Sequence, residues 1–194
     1  VYAFDHNLVE NHWNYMMFYW KPDSTILLLT PCSNVKPYPS SPTNMKIKNK
    51  LKNLGLWDKE RDIPKGVDWV FISNLLGPVP YQLTFIEPAC CYEVPPSIVF
   101  NKPHLRRKVE EVIDTWWDRV KGCYDHVIYY LPRTYYMLTQ RIRENNERPK
   151  IHVVVYNIFY GQRRIERVLK DVLNENNMIG YKNVNKTISH IRSV

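Results

Sequence analysis

Four short, almost uninterrupted apolar runs constrain this chain more than anything else in it: Thr25 to Thr30 (TILLLT), Val67 to Ser73 (VDWVFIS), His126 to Leu131 (HVIYYL) and Ile151 to Tyr156 (IHVVVY). They are rich in β-branched or aromatic residues and lack the strict alternation of a strand with one wet face, so each predicts a strand covered on both sides. Helical periodicity fills the spaces around them. Leu105, Val109, Val112, Ile113, Trp116 and Val120 recur at threes and fours, with Pro103 where a first-turn proline is tolerated. Ile165, Val168, Leu169, Val172 and Leu173 mark a second such face. Shorter patterns predict helices over residues 45–54 and 134–145, and the aromatic-rich stretch Asp5 to Trp20 predicts another, stopped by Lys21-Pro22-Asp23. Strands alternating with helices predict an α/β fold, a three-layer domain around a mainly parallel four-stranded sheet with right-handed crossovers.

The 194 residues suffice for one domain with one sizeable core. An aromatic content of 13% excludes a disordered chain, and six glycines against fourteen prolines exclude Gly-rich linkers and predict loops of fixed shape. Residues 1–177 form the expected domain. Beyond Asn177 the helical period is lost, so residues 178–194 are expected to be a basic tail, an edge strand or the lead into a further domain; the start at Val1 rather than Met fits a chain excised from a longer polypeptide. Cys32, Cys90, Cys91 and Cys123 have neither the density of a disulfide scaffold nor the spacing of a zinc site. No metal site is expected, and reduced thiols fit the cytoplasm. Without a G-x-G-x-x-G or a P-loop no nucleotide cofactor gains support, and without a long apolar span or a signal-peptide pattern no membrane partner is expected.

In an open parallel sheet, ligands bind beyond the carboxyl ends of the strands. The first run leads into Pro31-Cys32-Ser33-Asn34-Val35-Lys36-Pro37-Tyr38, a proline-stiffened loop holding one thiol and one amine. Cys32 has two readings: a nucleophile placed at a strand end, with Lys36 stabilising its thiolate, or a small thiol filling space behind the loop. Tyr38, Tyr81 and Tyr92 either stack on a base or plug gaps between proline turns. His126 and His152 fall inside strands and read as core or edge histidines. The net charge is +8, which suggests an anionic partner. From Arg133 to Asp171 nine cations stand against four acids, and Arg133, Arg163 and Arg164 follow the third and fourth runs, where phosphate contact is expected. Lys46, Lys48, Lys50 and Lys52 alternate by two and are expected to spread around a helix.

The motif Pro31-Cys32-x-x-x-Lys36-Pro37-Tyr38-x-x-Ser41 resembles the Pro-Cys-x-x-x-Lys-Pro-Tyr-x-x-Ser-x-x-His motif of the archaeosine synthase family, amidating enzymes related to archaeal tRNA-guanine transglycosylases. Ser73 through Pro95, with Leu76-Gly77-Pro78-Val79-Pro80 and Pro88-Ala89-Cys90-Cys91-Tyr92-Glu93-Val94-Pro95, is similar to that family's central domain. The resemblance spans roughly Thr25 to Leu131. It implies a uracil-DNA-glycosylase-like fold, an archaeal tRNA partner, lysine or a related amine as co-substrate, and transglycosylase-like or RNA-binding PUA regions elsewhere in the protein or in a partner subunit. The implied reaction adds the amine to the nitrile of 7-cyano-7-deazaguanine; the chemistry of thiolate attack on a nitrile then assigns Cys32 and Lys36 as the catalytic pair and Tyr38, Ser41, Ser73, Gly77, Tyr81, Tyr92 and Glu93 to binding the base and amine. Where the family motif ends in His this chain has Asn44, and Cys91 stands where His would precede Tyr92. Those two positions motivate a second reading, a non-catalytic module that binds tRNA or a base.

Overall fold

The structure is a computed structural model, and it describes residues 7–91 and 96–175. Tyr92, Glu93 and the 178–194 tail lie outside the described residues. A first helix, α1 (Asn7–Phe18), leads to the central strand β1 (Ile26–Pro31). Then come α2 (Pro42–Asn53), a two-residue hairpin of β2 (Trp57–Asp58) and β3 (Ile63–Pro64), and the strands β4 (Asp68–Ser73) and β5 (Gly77–Pro80). The helices α3 (Pro96–Asn101) and α4 (Pro103–Val120), strand β6 (His126–Tyr129), the short α5 (Gln140–Arg143), β7 (Lys150–Val153) and a final helix α6 (161–175) complete the order.

The main sheet runs β5-β4-β1-β6-β7. β1 pairs in parallel with β4 (Leu28 opposite Trp69) and with β6 (Leu28 opposite Ile128), and β7 extends the parallel set. The four apolar runs are therefore the four parallel strands. The sheet nevertheless has five strands, not four: β5 folds back antiparallel on β4 at the edge, with Ser73 opposite Gly77. Pro78 and Pro80 lie in it, which an edge strand tolerates because one row of its amides needs no partner. Gly77 makes the tight reversal at φ +69, a conformation that favours glycine, and a Cβ there would stand 3.3 Å from Val112 of α4.

Right-handed crossovers fix the layers. The chain moves one way across the sheet through α2 and the other way through α4 and α5, so α2 covers one face and α4 with α5 the other. Contacts agree with this. The Arg119 guanidinium of α4 donates to the C-terminal carbonyls of α1, Met16 O at 2.7 Å and Met17 O at 2.8 Å, while Lys50 of α2 meets Glu166 of α6 at 2.8 Å. Covered on both sides, Ile26 to Thr30 are all buried. The predicted helix over 134–145 shrinks to Gln140–Arg143, preceded by a single 3-10 turn at Arg133–Tyr135. The Thr139 hydroxyl donates to Tyr135 O at 2.8 Å and meets the Tyr129 hydroxyl at 2.6 Å, which ties this stretch to β6 instead of letting it coil freely.

Candidate functional site

At the carboxyl ends of β1 and β6 the loops enclose a cavity of about 230 Å³ whose walls include Cys32, Ser41, Asn44, Tyr130 and Tyr156. Cys32 stands where β1 stops. Its amide still donates to Ile72 O of β4 at 3.0 Å, continuing the ladder, so the side chain is set by the sheet and not by the loop. The Cys32 sulfur lies 3.2 Å from the Tyr135 hydroxyl, and the buried Asn74 amide donates to that same hydroxyl at 3.4 Å. Either atom can donate in the contact between the Cys32 sulfur and the Tyr135 hydroxyl. Asn74 Oδ1 is buried and meets no hydrogen-bond partner among the described residues, an arrangement that costs stability and is uncommon in folded proteins.

The loop beyond Cys32 is tightly built. Lys36 Nζ donates to Ser33 O at 3.1 Å and sits 4.0 Å above the Tyr38 ring. Tyr38 itself is fully buried and packs on Phe71. Ser41 lines the cavity, yet its hydroxyl accepts from Asn44 N at 3.2 Å as the N-cap of α2, with Pro42 in the first turn. Asn44, at the motif's His position, donates from its side chain to Tyr38 O at 2.8 Å and so clamps the loop.

Other predicted site residues are drawn elsewhere. The Ser73 hydroxyl accepts from Leu75 N and Leu76 N, shaping the turn after β4, and Gly77 packs against α4. Tyr81 is buried among Trp57 and Trp69, its hydroxyl accepting from Lys48 at 3.3 Å. Cys91 is exposed beside Cys90, sulfur to sulfur 3.0 Å, and the hydrogen bond with Cys90 pushes its thiol up to about 11. His126 and His152 hydrogen-bond each other at 3.1 Å across β6 and β7. Arg133 lies in the turn leaving β6 and Arg163 and Arg164 in the first turn of α6; all three are exposed, and none forms an ion pair among the described residues. Three of the four α2 lysines do: Lys48 and Lys52 with Asp62, and Lys50 with Glu166.

Sequence reading did not single out Tyr130, Tyr135 or Tyr156. Tyr130 N donates to Leu29 O, so its ring is anchored by the sheet, and the ring lies 4.9 Å from that of Tyr156. Burial pushes the Tyr130 phenol up to about 12, and its hydroxyl donates to Asn157 O at 2.9 Å. The only available signal was position, since Tyr130 and Tyr156 stand at the ends of predicted strands and Tyr135 shortly after one. Among the described residues, no group of three or more His, Cys, Asp or Glu is placed to hold a metal ion, and no helix is long and apolar enough to cross a membrane.

The model of the family described as "Domain of unknown function (DUF5591)" matches residues 9–173, from α1 into α6. The chain belongs to that family. Over 176 residues the chain is 26% identical to archaeosine synthase subunit alpha of Thermoplasma acidophilum, covering 91% of the chain and 30% of that protein. The chain thus spans about a third of the length of the curated relative it matches. Its fold is similar to the crystal structure of AF0587, a protein of unknown function, with a TM-score of 0.52 and 17% identity over 80% of this chain and 48% of that one.

Proposed function

We propose that this domain modifies a tRNA base, adding lysine or a related amine to the nitrile carbon of 7-cyano-7-deazaguanine, with Cys32 as nucleophile. The observation that carries the reading is the Cys32 sulfur at the end of the central strand, on a cavity wall, 3.2 Å from a hydroxyl oriented by a buried amide. A nitrile is a sluggish electrophile, and a thiolate suits it. The sulfur bonds to the nitrile carbon, the nitrile nitrogen takes a proton, and a thioimidate results. The amine then attacks the same carbon, the C–S bond breaks, and the sulfur leaves as a thiol while the base keeps an amidine. A hydroxyl donated to sulfur favours the thiolate in both the attack and the departure, which is the role we assign to Tyr135. Lys36 contributes positive charge to the loop, and Asn44 holds it closed. The distant relationship to an archaeosine synthase subunit and the motif around Cys32 support the substrate class. The uracil-DNA-glycosylase-like architecture, a cytoplasmic setting and a partner supplying the remaining tRNA-binding regions belong to the same proposal.

A second reading is favoured by one observation. Asn44, where the motif has a proton-transferring His, is spent on Tyr38 O, as befits a module that binds the base without turning it over. The deciding experiment incubates tRNA carrying 7-cyano-7-deazaguanine with the protein and lysine, followed by nucleoside mass spectrometry. The expected result is a product heavier by one lysine, lost in Cys32→Ala and slowed by about tenfold in Tyr135→Phe, the order expected from one hydrogen bond to a charged sulfur. Product formation by Cys32→Ala would remove the covalent scheme; tight tRNA binding with no product would leave the binding module.

A further inference from the structure

The loop from β7 to α6 carries two large rings out into solvent: Phe159 is 67% exposed and Tyr160 55%. Burial would normally claim side chains of this kind. They are not held there by a loose segment. The Asn157 carboxamide oxygen accepts from Phe159 N and Tyr160 N at 2.9 Å each, and Asn157 O accepts from Gly161 N at 2.7 Å and from the Tyr130 hydroxyl at 2.9 Å. Gln162 Nε2 then fastens Phe159 O at 3.0 Å. Beneath the turn, Gly161 lies directly against the Tyr130 hydroxyl, the same Tyr130 whose ring, with Tyr156, forms a wall of the Cys32 cavity. Phe159 is three residues beyond Tyr156, so the chain separates it from that wall by at most about 11 Å.

The surroundings of the rings are cationic. No acid occurs between Lys150 and Ile165, while Arg163 and Arg164 lie three and four residues beyond Tyr160, exposed and without ion pairs among the described residues, Arg164 donating to Val155 O at 3.3 Å. The nearest carboxylate in sequence, Glu166, is engaged by Lys50 and Lys170. Exposed aromatic faces beside arginines outside any ion pair are a pattern by which proteins hold unpaired nucleotides, the rings taking base faces and the guanidinium groups taking phosphates. Val153, Val155 and Ile158 are exposed on the same segment, and it is the acid-free, arginine-bearing flank of the rings that favours RNA over a protein partner.

We infer that Phe159 and Tyr160 form a stacking platform for unpaired RNA bases beside the nucleotide that enters the Cys32 cavity. This rests on reading that cavity as a base site. The platform selects single-stranded or splayed RNA, because a paired base offers no free face. The test measures fluorescence anisotropy of a labelled single-stranded RNA of about ten nucleotides, and of the same strand annealed to its complement, against Phe159→Ala, Tyr160→Ala, Phe159→Tyr and Tyr160→Phe. Each ring removal is expected to weaken single-strand binding by about tenfold without altering its salt slope or the affinity for duplex. The ring-for-ring exchanges are expected to keep wild-type affinity. Unchanged single-strand affinity in both alanine variants overturns the inference, as does an equal loss for duplex, or a change in the protein's own sedimentation with RNA binding intact. A thioimidate trap on Cys32 with the free nitrile base separates this from the catalytic proposal. Ring-dependent RNA binding without a trapped adduct keeps the platform and sinks the chemistry, whereas an adduct with ring-independent RNA binding does the reverse.

Discussion

Replacing Gly161 by alanine probes the joint between the cavity wall and the exposed loop. At the start of a helix this change ordinarily gains up to about 1 kcal/mol through reduced backbone entropy. Here the added Cβ would fall 1.8 Å from the Tyr130 hydroxyl oxygen, 2.3 Å from Cζ and 2.6 Å from Cε2. Tyr130 is fully buried and its amide is tied into the sheet, so the ring cannot simply swing away. Overpacking of a close-packed core costs about 1–3 kcal/mol. Losing the hydrogen bond to Asn157 O adds about 1–3 kcal/mol, because the hydroxyl stays buried. The net expectation is a loss of about 3 kcal/mol, or a melting point lower by about 6–12 °C for a chain of this size. Urea unfolding followed by tryptophan fluorescence reads the first quantity and calorimetry the second. The same measurement in a Tyr130→Leu background isolates the cause: with no ring to meet, Gly161→Ala should cost little, giving a coupling of about 2 kcal/mol between the two positions. A Gly161→Ala protein as stable as the parent, or an equal cost in both backgrounds, would refute the argument from close approach.

Two buried titrations should oppose each other in mild acid. His12, whose Nε2–H donates to Pro78 O at 2.9 Å, is held down to about 4 by burial, so its contribution is present above pH 6.5 and lost as pH falls towards 4. Asp68 is raised to about 6 by burial, although it accepts from the Tyr124 hydroxyl and from Asp23 N and Ser24 N; its contribution is present below about pH 4 and lost as pH rises through 6. Each is worth about 3 kcal/mol across its window, so Asp68→Asn should lose stability on going from pH 6.5 to 4.5 and His12→Gln should gain it, as read by urea titrations at both values; identical pH dependence in parent and variants would contradict both assignments. Replacing Arg133, Arg163 and Arg164 by alanine should weaken tRNA binding and flatten its salt dependence by about one unit of slope per lost phosphate contact. The quadruple alanine variant of Lys46, Lys48, Lys50 and Lys52 should do less, since three of these already serve Asp62 and Glu166. A dominant lysine set would move the RNA face to α2.

Burial on both faces is what made this fold legible. A strand sandwiched between helices must be apolar at every position, and a helix lying on a sheet must be apolar at threes and fours, so TILLLT, VDWVFIS and the 105–120 face announce themselves in one dimension. The position of Cys32 follows from the same logic, because a residue just past a parallel strand stands at the end where ligands bind. Three matters were decided only in three dimensions. The fifth strand was hidden by Pro78 and Pro80, which signal a loop unless an edge is available to receive them. The helix expected over 134–145 is confined to Gln140–Arg143, while the Tyr135 and Thr139 hydroxyls upstream meet the Cys32 sulfur and the Tyr129 hydroxyl, contacts that no local pattern announces. The partner of Cys32 is 103 residues away in sequence, and Asn74 is 61 from Tyr135. No periodicity encodes such separations: they arise where neighbouring strands of the folded sheet end side by side, and that is a property of strand order rather than of any segment.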